Sequence, residues 1–341
     1  MIFLRAVPPE VMQGVLTGAY KVTGSVVRDV ATGQGVAFLQ ETGVLQSLMH
    51  TALQGLGSTV SGGFSPLGLI SVIQNQQIKA RLTEVQASLG LLQNLQIGTL
   101  AVSGLGLGVS VAGFAAVLAR LKGIESHLTS IEAKIEKVTK ERRSDDLRMI
   151  FADVGTQLGT VDTLPARSNK VHAAEASEQA LALSAGRLEV HFQQHSEAMQ
   201  SGRLTTADLE MLWSLAAAIR ICHEAGLRAL FIIDELEAAG KLAERRATAS
   251  LQLGQALSPD TLARLCAQGE ADPIKFAELR RSALPQADAL VKGIRDTAAS
   301  IGSQAELARH LLANQISGPA YLAESVGEQD VPLLLLPASN S

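Results

Sequence analysis

The sequence predicts a mainly α-helical fold: an elongated helical bundle with a long coiled-coil-like hairpin at about 70–145 and one small N-terminal β-hairpin at about 20–40. Three observations predict it. Hydrophobic residues make up 47% of the chain and aromatic residues only 3%, a composition that suits helices packed on helices. Apolar residues recur at heptad spacing over two long stretches. Period-two alternation, which is typical of strands, is confined to one short stretch near the N-terminus.

The N-terminal region combines a short helix with the β-hairpin. Pro9-Glu10-Val11 can start a helix that runs to about Thr17. Alternating β-branched residues then run from Tyr20 to Val27, turn residues occupy Asp29–Gly35, and the alternation resumes over Val36–Gln40. Because a lone hairpin is marginally stable in water, we expect this one to pack on the helices or to pair with another chain.

Two heptad seams predict the coiled-coil hairpin. Apolar residues at spacings of four and three run from Ile78 to Leu92 and again from Val117 to Val138. Such spacing places the apolar side chains on one stripe of a helix, where a second helix can cover them. The predicted seam contacts are Leu82, Val85, Leu89, Leu92, Leu121, Ile124, Leu128, Ile131 and Ile135.

The stretch between the seams carries no charge. From Val85 to Ala119 there are 35 residues without Asp, Glu, Lys or Arg, and five glycines lie within 97–119. About twenty apolar residues in a helix cross the hydrocarbon core of a bilayer. The residues that we predict to contact a membrane or a neighbouring subunit are Ile97, Leu100, Gly104, Leu105, Gly106, Leu107, Gly108, Val109, Val111 and Phe114.

Two arrangements of this stretch are open. If the chain reverses near Gly104–Gly108, the two seams face each other antiparallel and the glycine-rich stretch is the tip of a hairpin. Otherwise one continuous helix runs from about 70 to 142, roughly 110 Å long at 1.5 Å per residue. Each glycine within a helix costs about 1 kcal/mol relative to alanine, so the composition favours the hairpin.

The charge distribution divides the chain into three regions. Residues 1–120 contain ten of the 62 charged side chains, although they make up a third of the sequence. We therefore expect an N-terminal cap with the β-hairpin at 1–45, a charge-poor, glycine-rich apolar region at 46–120, and a soluble α-helical body at 121–341. In that body we expect helices to about 155 and at about 169–201, 206–247, 258–268, 272–283 and 286–316. The apolar tail 331–337 is too short to span a membrane, and we expect it in a groove of this chain or of a neighbour.

The candidate chemical motifs do not support catalysis. The glycines near 104–108 do not match the dinucleotide-binding pattern, because Val109 stands where its last glycine belongs. His191 and His195 lie one helical turn apart but lack the zinc-protease glutamate between them. The residues of Cys222-His223-Glu224 point in different directions from a helix, and two cysteines rule out a four-cysteine zinc site. We therefore predict no catalytic, cofactor-binding or metal site, no small-molecule substrate and no enzymatic activity.

Two functions remain for a charge-free segment on such a chain. In the first, the segment enters a lipid membrane conditionally, after the protein forms a homo-oligomer. In the second, it is a buried subunit contact of a self-assembling scaffold, a filament or a tube. A net charge of −4 argues against nucleic-acid binding. The chain opens with no secretory signal, so we expect synthesis in the cytoplasm with possible relocation to a membrane.

The layout of residues 70–145 is similar to that of α-helical pore-forming toxins of the cytolysin A type. Those proteins are helical bundles of comparable length with an apolar hairpin element, and the β-hairpin that precedes the segment here is not part of their pattern. The resemblance implies oligomeric pore formation, by a toxin or by a self-directed membrane-disrupting effector.

Overall fold

The computed structural model describes residues 4–42, 137–200, 204–255, 257–328, 331 and 333–338. These residues form a mostly helical structure with a small antiparallel β-sheet, as the sequence predicts. The predicted coiled-coil hairpin at 70–145 and the charge-poor region at 46–120 lie almost entirely between residues 43 and 136, outside the described residues, so both stay predictions.

The described part of the chain contains five strands and eight α-helices. The strands are β1 (Arg5–Ala6), β2 (Tyr20–Thr23), β3 (Val26–Asp29), β4 (Gly35–Glu41) and β5 (Leu333–Pro337). The helices are α1 (Pro9–Thr17), α2 (Lys137–Thr163), α3 (Lys170–Gln200), α4 (Thr206–Ile232), α5 (Leu236–Gln255), α6 (Pro259–Ala267), α7 (Pro273–Ala313) and α8 (Gly318–Gly327). A 3₁₀ turn, Leu164–Ala166, links α2 to α3.

Several helix ends follow from local capping. Thr205 and Asp208 form a reciprocal capping box at the start of α4: the Asp208 amide donates to Thr205 Oγ1 and the Thr205 amide donates to Asp208 Oδ2, at 3.3 and 2.7 Å. At the start of α7, Asp272 Oδ1 accepts a hydrogen bond from the Ile274 amide, and Pro273 occupies the first turn. The sequence predicted both starts, and α1 has the predicted bounds.

The predicted helix at 206–247 is in fact two helices. The chain turns at 233–235, where Asp234 adopts a positive φ of 66°. The Asp234 carboxylate accepts a 2.7 Å hydrogen bond from the amide of Gly318, at the start of α8. This tertiary bond holds Asp234 in the left-handed region, which a short polar side chain tolerates better than most residues.

The predicted break near 284–285 is wrong, because α7 continues through Pro285. Proline removes the hydrogen bond to the carbonyl of residue 281, but both positions lie on the exposed side of the helix, where water can satisfy that carbonyl. Helix α2 likewise runs to Thr163, beyond the predicted end near Gly155, and α8 is a helix that the sequence reading did not include.

The predicted N-terminal hairpin is part of a larger sheet with strand order β1-β5-β4-β3-β2. The predicted first strand is split by a two-residue turn, Gly24-Ser25, in which Gly24 has a φ of 59°. A Cβ on Gly24 would lie 2.7 Å from the Cα atom of Ser300 in α7 and 2.8 Å from the Ala299 carbonyl oxygen, so only glycine fits where this turn meets the helix.

The C-terminal tail is an internal strand of this sheet. The expectation that it lies in a groove is therefore wrong. β5 pairs antiparallel with β4 on one side and with β1 on the other. Leu334 and Leu336 face the helices, whereas Leu333 and Leu335 face the side covered by α1. Burial on both faces explains why the tail is a continuous apolar run with no alternation.

Helix α4 is the centre of the helical body. It is buried almost continuously from Ser214 to Leu227 and contacts α3, α5, α7 and α8. Helix α5 lies along α7, and α6 packs on α7. Gly318 begins α8 against the end of α4, where an added Cβ would lie 2.3 Å from the carbonyl oxygen of Phe231. The end of α4 and the start of α8 therefore meet through a close backbone contact.

Candidate functional site

The predicted membrane or assembly residues, Ile97 to Phe114, and the predicted seam contacts, Leu82 to Ile135, lie outside the described residues. The structure instead describes the two places where the chain departs into this stretch and returns from it. The departure follows β4 and the return is at the start of α2.

The departure point is held by polar groups at the end of β4. Gln40, Glu41 and Thr42 are each at most 2% exposed. Thr42 Oγ1 donates a 2.6 Å hydrogen bond to the carbonyl oxygen of Val331, just before β5, and the Tyr321 hydroxyl of α8 donates to Gln40 Oε1 at 3.0 Å. β4, the strand that precedes residue 43, is therefore fixed to the C-terminal part of the chain.

Helix α2 is fixed to α3 by a partly buried ion pair and a histidine contact. Asp146 of α2 accepts hydrogen bonds from Arg187 at 2.5 Å and from His191 Nε2 at 2.8 Å. These bonds, that from His191 first, lower the pKa of the Asp146 carboxyl. The N-terminal part of α2, where the chain returns, is thus attached to the helical body through Asp146.

His191 and His195 have different partners, so they do not face one common ligand. His191 contacts Asp146, whereas His195 Nε2 lies 3.4 Å from Asp208 Oδ1 at the start of α4. Within the described ranges, no group of three or more His, Cys, Asp or Glu side chains is placed to hold a metal ion.

Cys222, His223 and Glu224 point to different elements, as the helical geometry predicts. The Cys222 thiol is fully buried, and burial raises its pKa to about 12, so it is protonated at neutral pH. His223 lies toward Glu189 of α3. Glu224 accepts a 3.0 Å hydrogen bond from Arg220 Nε, and its oxygen lies 3.4 Å from the Ser300 hydroxyl of α7. The three neighbours thus make no nucleophile–base arrangement with one another.

A partly buried charged cluster, which the sequence reading missed, joins α3, α4 and α5. It consists of Arg246, Glu178, His223 and Glu189, and we call it the Arg246 cluster. Arg246 donates to Glu178 Oε1 at 2.5 Å and to the backbone carbonyl of His223 at 2.9 Å. Its guanidinium lies over Gly226, where an added Cβ would be 2.7 Å from Nη1.

One signal for this cluster was present in the sequence. The buried residues of α5 recur at helical spacing and are mostly small, and Arg246 occupies that same buried stripe: Leu236, Ala239, Gly240, Ala243, Arg246, Ser250 and Gly254. A charged residue in register with such a stripe predicts a buried ion pair, because an unpaired buried charge is very costly. The partner could not be predicted, since Glu178 lies 68 positions away in sequence.

No helix in the described ranges is both long enough and apolar enough to cross a membrane. The sequence matches no protein-family model, and comparisons with curated proteins and with solved structures find no match.

Proposed function

We propose that this protein is a membrane-active helical protein that inserts its charge-free segment into a lipid bilayer conditionally, after oligomerisation. One observation carries the proposal: the 35 consecutive uncharged residues from Val85 to Ala119. A helix of about twenty such residues is long enough to cross the hydrocarbon core, so the run can supply one span or the two arms of a shorter hairpin.

The energetics of the segment suit conditional insertion. The ten Leu, Ile, Val and Phe residues within 97–119 contribute roughly −3 to −6 kcal/mol on an insertion scale. Five glycines and three hydroxyl side chains, Thr99, Ser103 and Ser110, oppose this. A small net gain favours a segment that is covered in one state and inserted in another over a permanent anchor.

The way the segment is attached also supports the proposal. It lies between β4 and α2, and both of these elements contact parts of the chain that follow residue 137. The sheet before the segment and the helices after it pack on one another directly. A folded body can therefore keep hold of both ends while the segment between them changes its surroundings.

Flotation of the purified protein with liposomes, together with dye release and negative-stain imaging, tests the proposal. We expect binding, leakage and ring-shaped oligomers. Filaments that form without lipid binding would contradict it and would support the scaffold function instead.

Charge substitutions within the segment sharpen this test. A charge at the centre of an inserted helix costs about 2.5–3.5 kcal/mol, roughly a hundredfold in an insertion equilibrium. Leu107→Asp and Val109→Lys should therefore abolish dye release, whereas Gly106→Ile should keep lipid binding and impair assembly by preventing close helix approach. Leu183→Asp is the matched control, because Leu183 is 67% exposed on α3 and its substitution should leave leakage unchanged.

Two results would contradict insertion. Full leakage by Leu107→Asp and Val109→Lys would mean that the segment does not enter the bilayer. Precipitation or loss of helicity in both variants would mean that the segment is a permanent core, as the scaffold function requires.

A further inference from the structure

His223 is a buried imidazole without normal hydrogen bonds to the described residues. Its side chain is 6% exposed, and both ring nitrogens lack a partner at ordinary geometry within these residues. Oε1 of Glu189, on α3, lies 3.5 Å from Nε2, at the outer limit for a hydrogen bond. The site therefore accommodates a neutral ring better than a charged one.

The charges around His223 come from both neighbouring helices. Glu189 and Glu178 belong to α3, and Arg246 belongs to α5. Arg246 donates to the backbone carbonyl of His223 itself and is bound to Glu178, so that one of the two carboxylates is already paired. A proton on His223 would add a second buried cation beside Arg246, with Glu189 alone to balance it.

The charged groups next to His223 on its own helix do not compensate. Glu224 pairs with Arg220, and both approach the Ser300 hydroxyl of α7. The Cys222 thiol is buried and neutral. From α7, the Ser300 hydroxyl approaches the pair of Glu224 and Arg220, and the Asp296 carboxyl interacts electrostatically with Arg220.

We propose that His223 is a proton-sensitive joint between α3, α4 and α5, which is well packed when the imidazole is neutral and loosens when it is protonated. The joint does not depend on the membrane proposal, because its opening can be measured on the protein without lipid.

The sign of the pH dependence follows from linkage. Burial lowers the pKa of His223 from 6.5, the charge of Arg246 lowers it further, and Glu189 partly opposes both. The unfolded chain therefore binds the proton at a higher pH than the folded chain does. The stability that the neutral imidazole contributes is fully present above about pH 6.5 and is lost as the pH falls toward the pKa of the folded state. The unfolding constant then rises by up to about tenfold per pH unit.

Urea unfolding between pH 7.5 and 5.0 tests this joint with two variants of opposite expected effect. His223→Leu removes the proton site. The rise of its unfolding constant on acidification should therefore be smaller than that of the wild type, by up to about tenfold per pH unit. Glu189→Gln removes the carboxylate that favours the imidazolium, so this variant should lose more stability than the wild type as the pH falls. His172→Gln, on the exposed side of α3, is the matched control and should match the wild type.

A titration of the wild type keeps the test decisive if His223→Leu does not fold. With histidine labelled at the ring Cε1 carbon, the resonance of His223 should titrate below pH 6.5. A titration of His223 at or above 6.5, or an unchanged pH dependence in a folded His223→Leu variant, would overturn the proposal.

Discussion

At the scale of single residues, Gly226 and Arg246 depend on each other. A Cβ at position 226 would lie 2.7 Å from Arg246 Nη1 and would displace the guanidinium from Glu178 and from the His223 carbonyl. Gly226→Ala should therefore lower the free energy of unfolding by about 1–3 kcal/mol, as expected when buried charged hydrogen bonds are strained or lost.

Gly186 offers the opposite case for comparison. It lies on the exposed side of α3 with no atom within 4 Å of an added Cβ. Gly186→Ala should raise the free energy of unfolding by about 0.5–1 kcal/mol through helix propensity alone. Urea unfolding of both variants measures the difference, and a change of the same sign in both would mean that Arg246 does not need the space at position 226.

Residue-level prediction from the sequence succeeded where the cause is local. The helix start predicted near residue 206 is correct, because the capping box that fixes it joins Thr205 and Asp208, three positions apart in the sequence. It failed at Asp234, whose left-handed backbone is held by a bond to Gly318, 84 positions away. It failed at Pro285 because the helix tolerates a proline on its exposed side, which depends on how the helix packs.

At the scale of elements, the sheet also shows that local patterns were predictable and distant pairing was not. The pattern of residues 20–40 predicted strands there, but β5 was not predicted because its partners are almost three hundred positions away. A run such as Leu333–Leu336 indicates burial on two faces and does not identify the faces. The predicted tip and seams of the hairpin, and with them the whole predicted site, lie outside the described residues and stay predictions.

The hairpin has its own test at this scale. In a variant with Cys222 and Cys266 replaced by alanine, cysteines at Leu89 and Leu121 should form a disulfide within one chain, since the hairpin places the two positions opposite each other. In a continuous helix they would be about 48 Å apart, far beyond the roughly 7 Å that a disulfide tolerates between Cα atoms.

Non-reducing electrophoresis at low protein concentration distinguishes the two arrangements. A monomer with faster migration, reversed by dithiothreitol, supports the hairpin. Crosslinks that join only separate chains would contradict the hairpin and favour the continuous helix, and with it the scaffold function. Cysteines at Leu183 and Leu251, which are both exposed and lie on α3 and α5, provide the control for random crosslinking.

At the scale of the whole molecule, the two ends of the described chain meet in one sheet. β5 lies between β1 and β4. Helix α8 contacts both ends as well: its Glu324 carboxylate accepts a hydrogen bond from the Leu4 amide, and its Tyr321 hydroxyl donates one to Gln40 of β4. The stretch 43–136 is therefore an insertion between two parts of one folded unit. Loosening of α3, α4 and α5 would act on the body to which both ends of that stretch are attached.

This arrangement predicts that acid promotes membrane leakage, if both proposals hold. Below about pH 6.5, protonation of His223 lowers the stability of the folded body, because burial lowers the pKa of this imidazole in the folded state. Dye release from liposomes should therefore rise several-fold between pH 7.5 and 5.0. His223→Leu should need a lower pH for the same release, and Glu189→Gln should reach it at a higher pH. His310 must be separated from this effect, since burial lowers its pKa as well, and His310→Gln provides that comparison on α7. Leakage that does not vary with pH, in a protein whose unfolding does, would mean that the joint opens without controlling insertion.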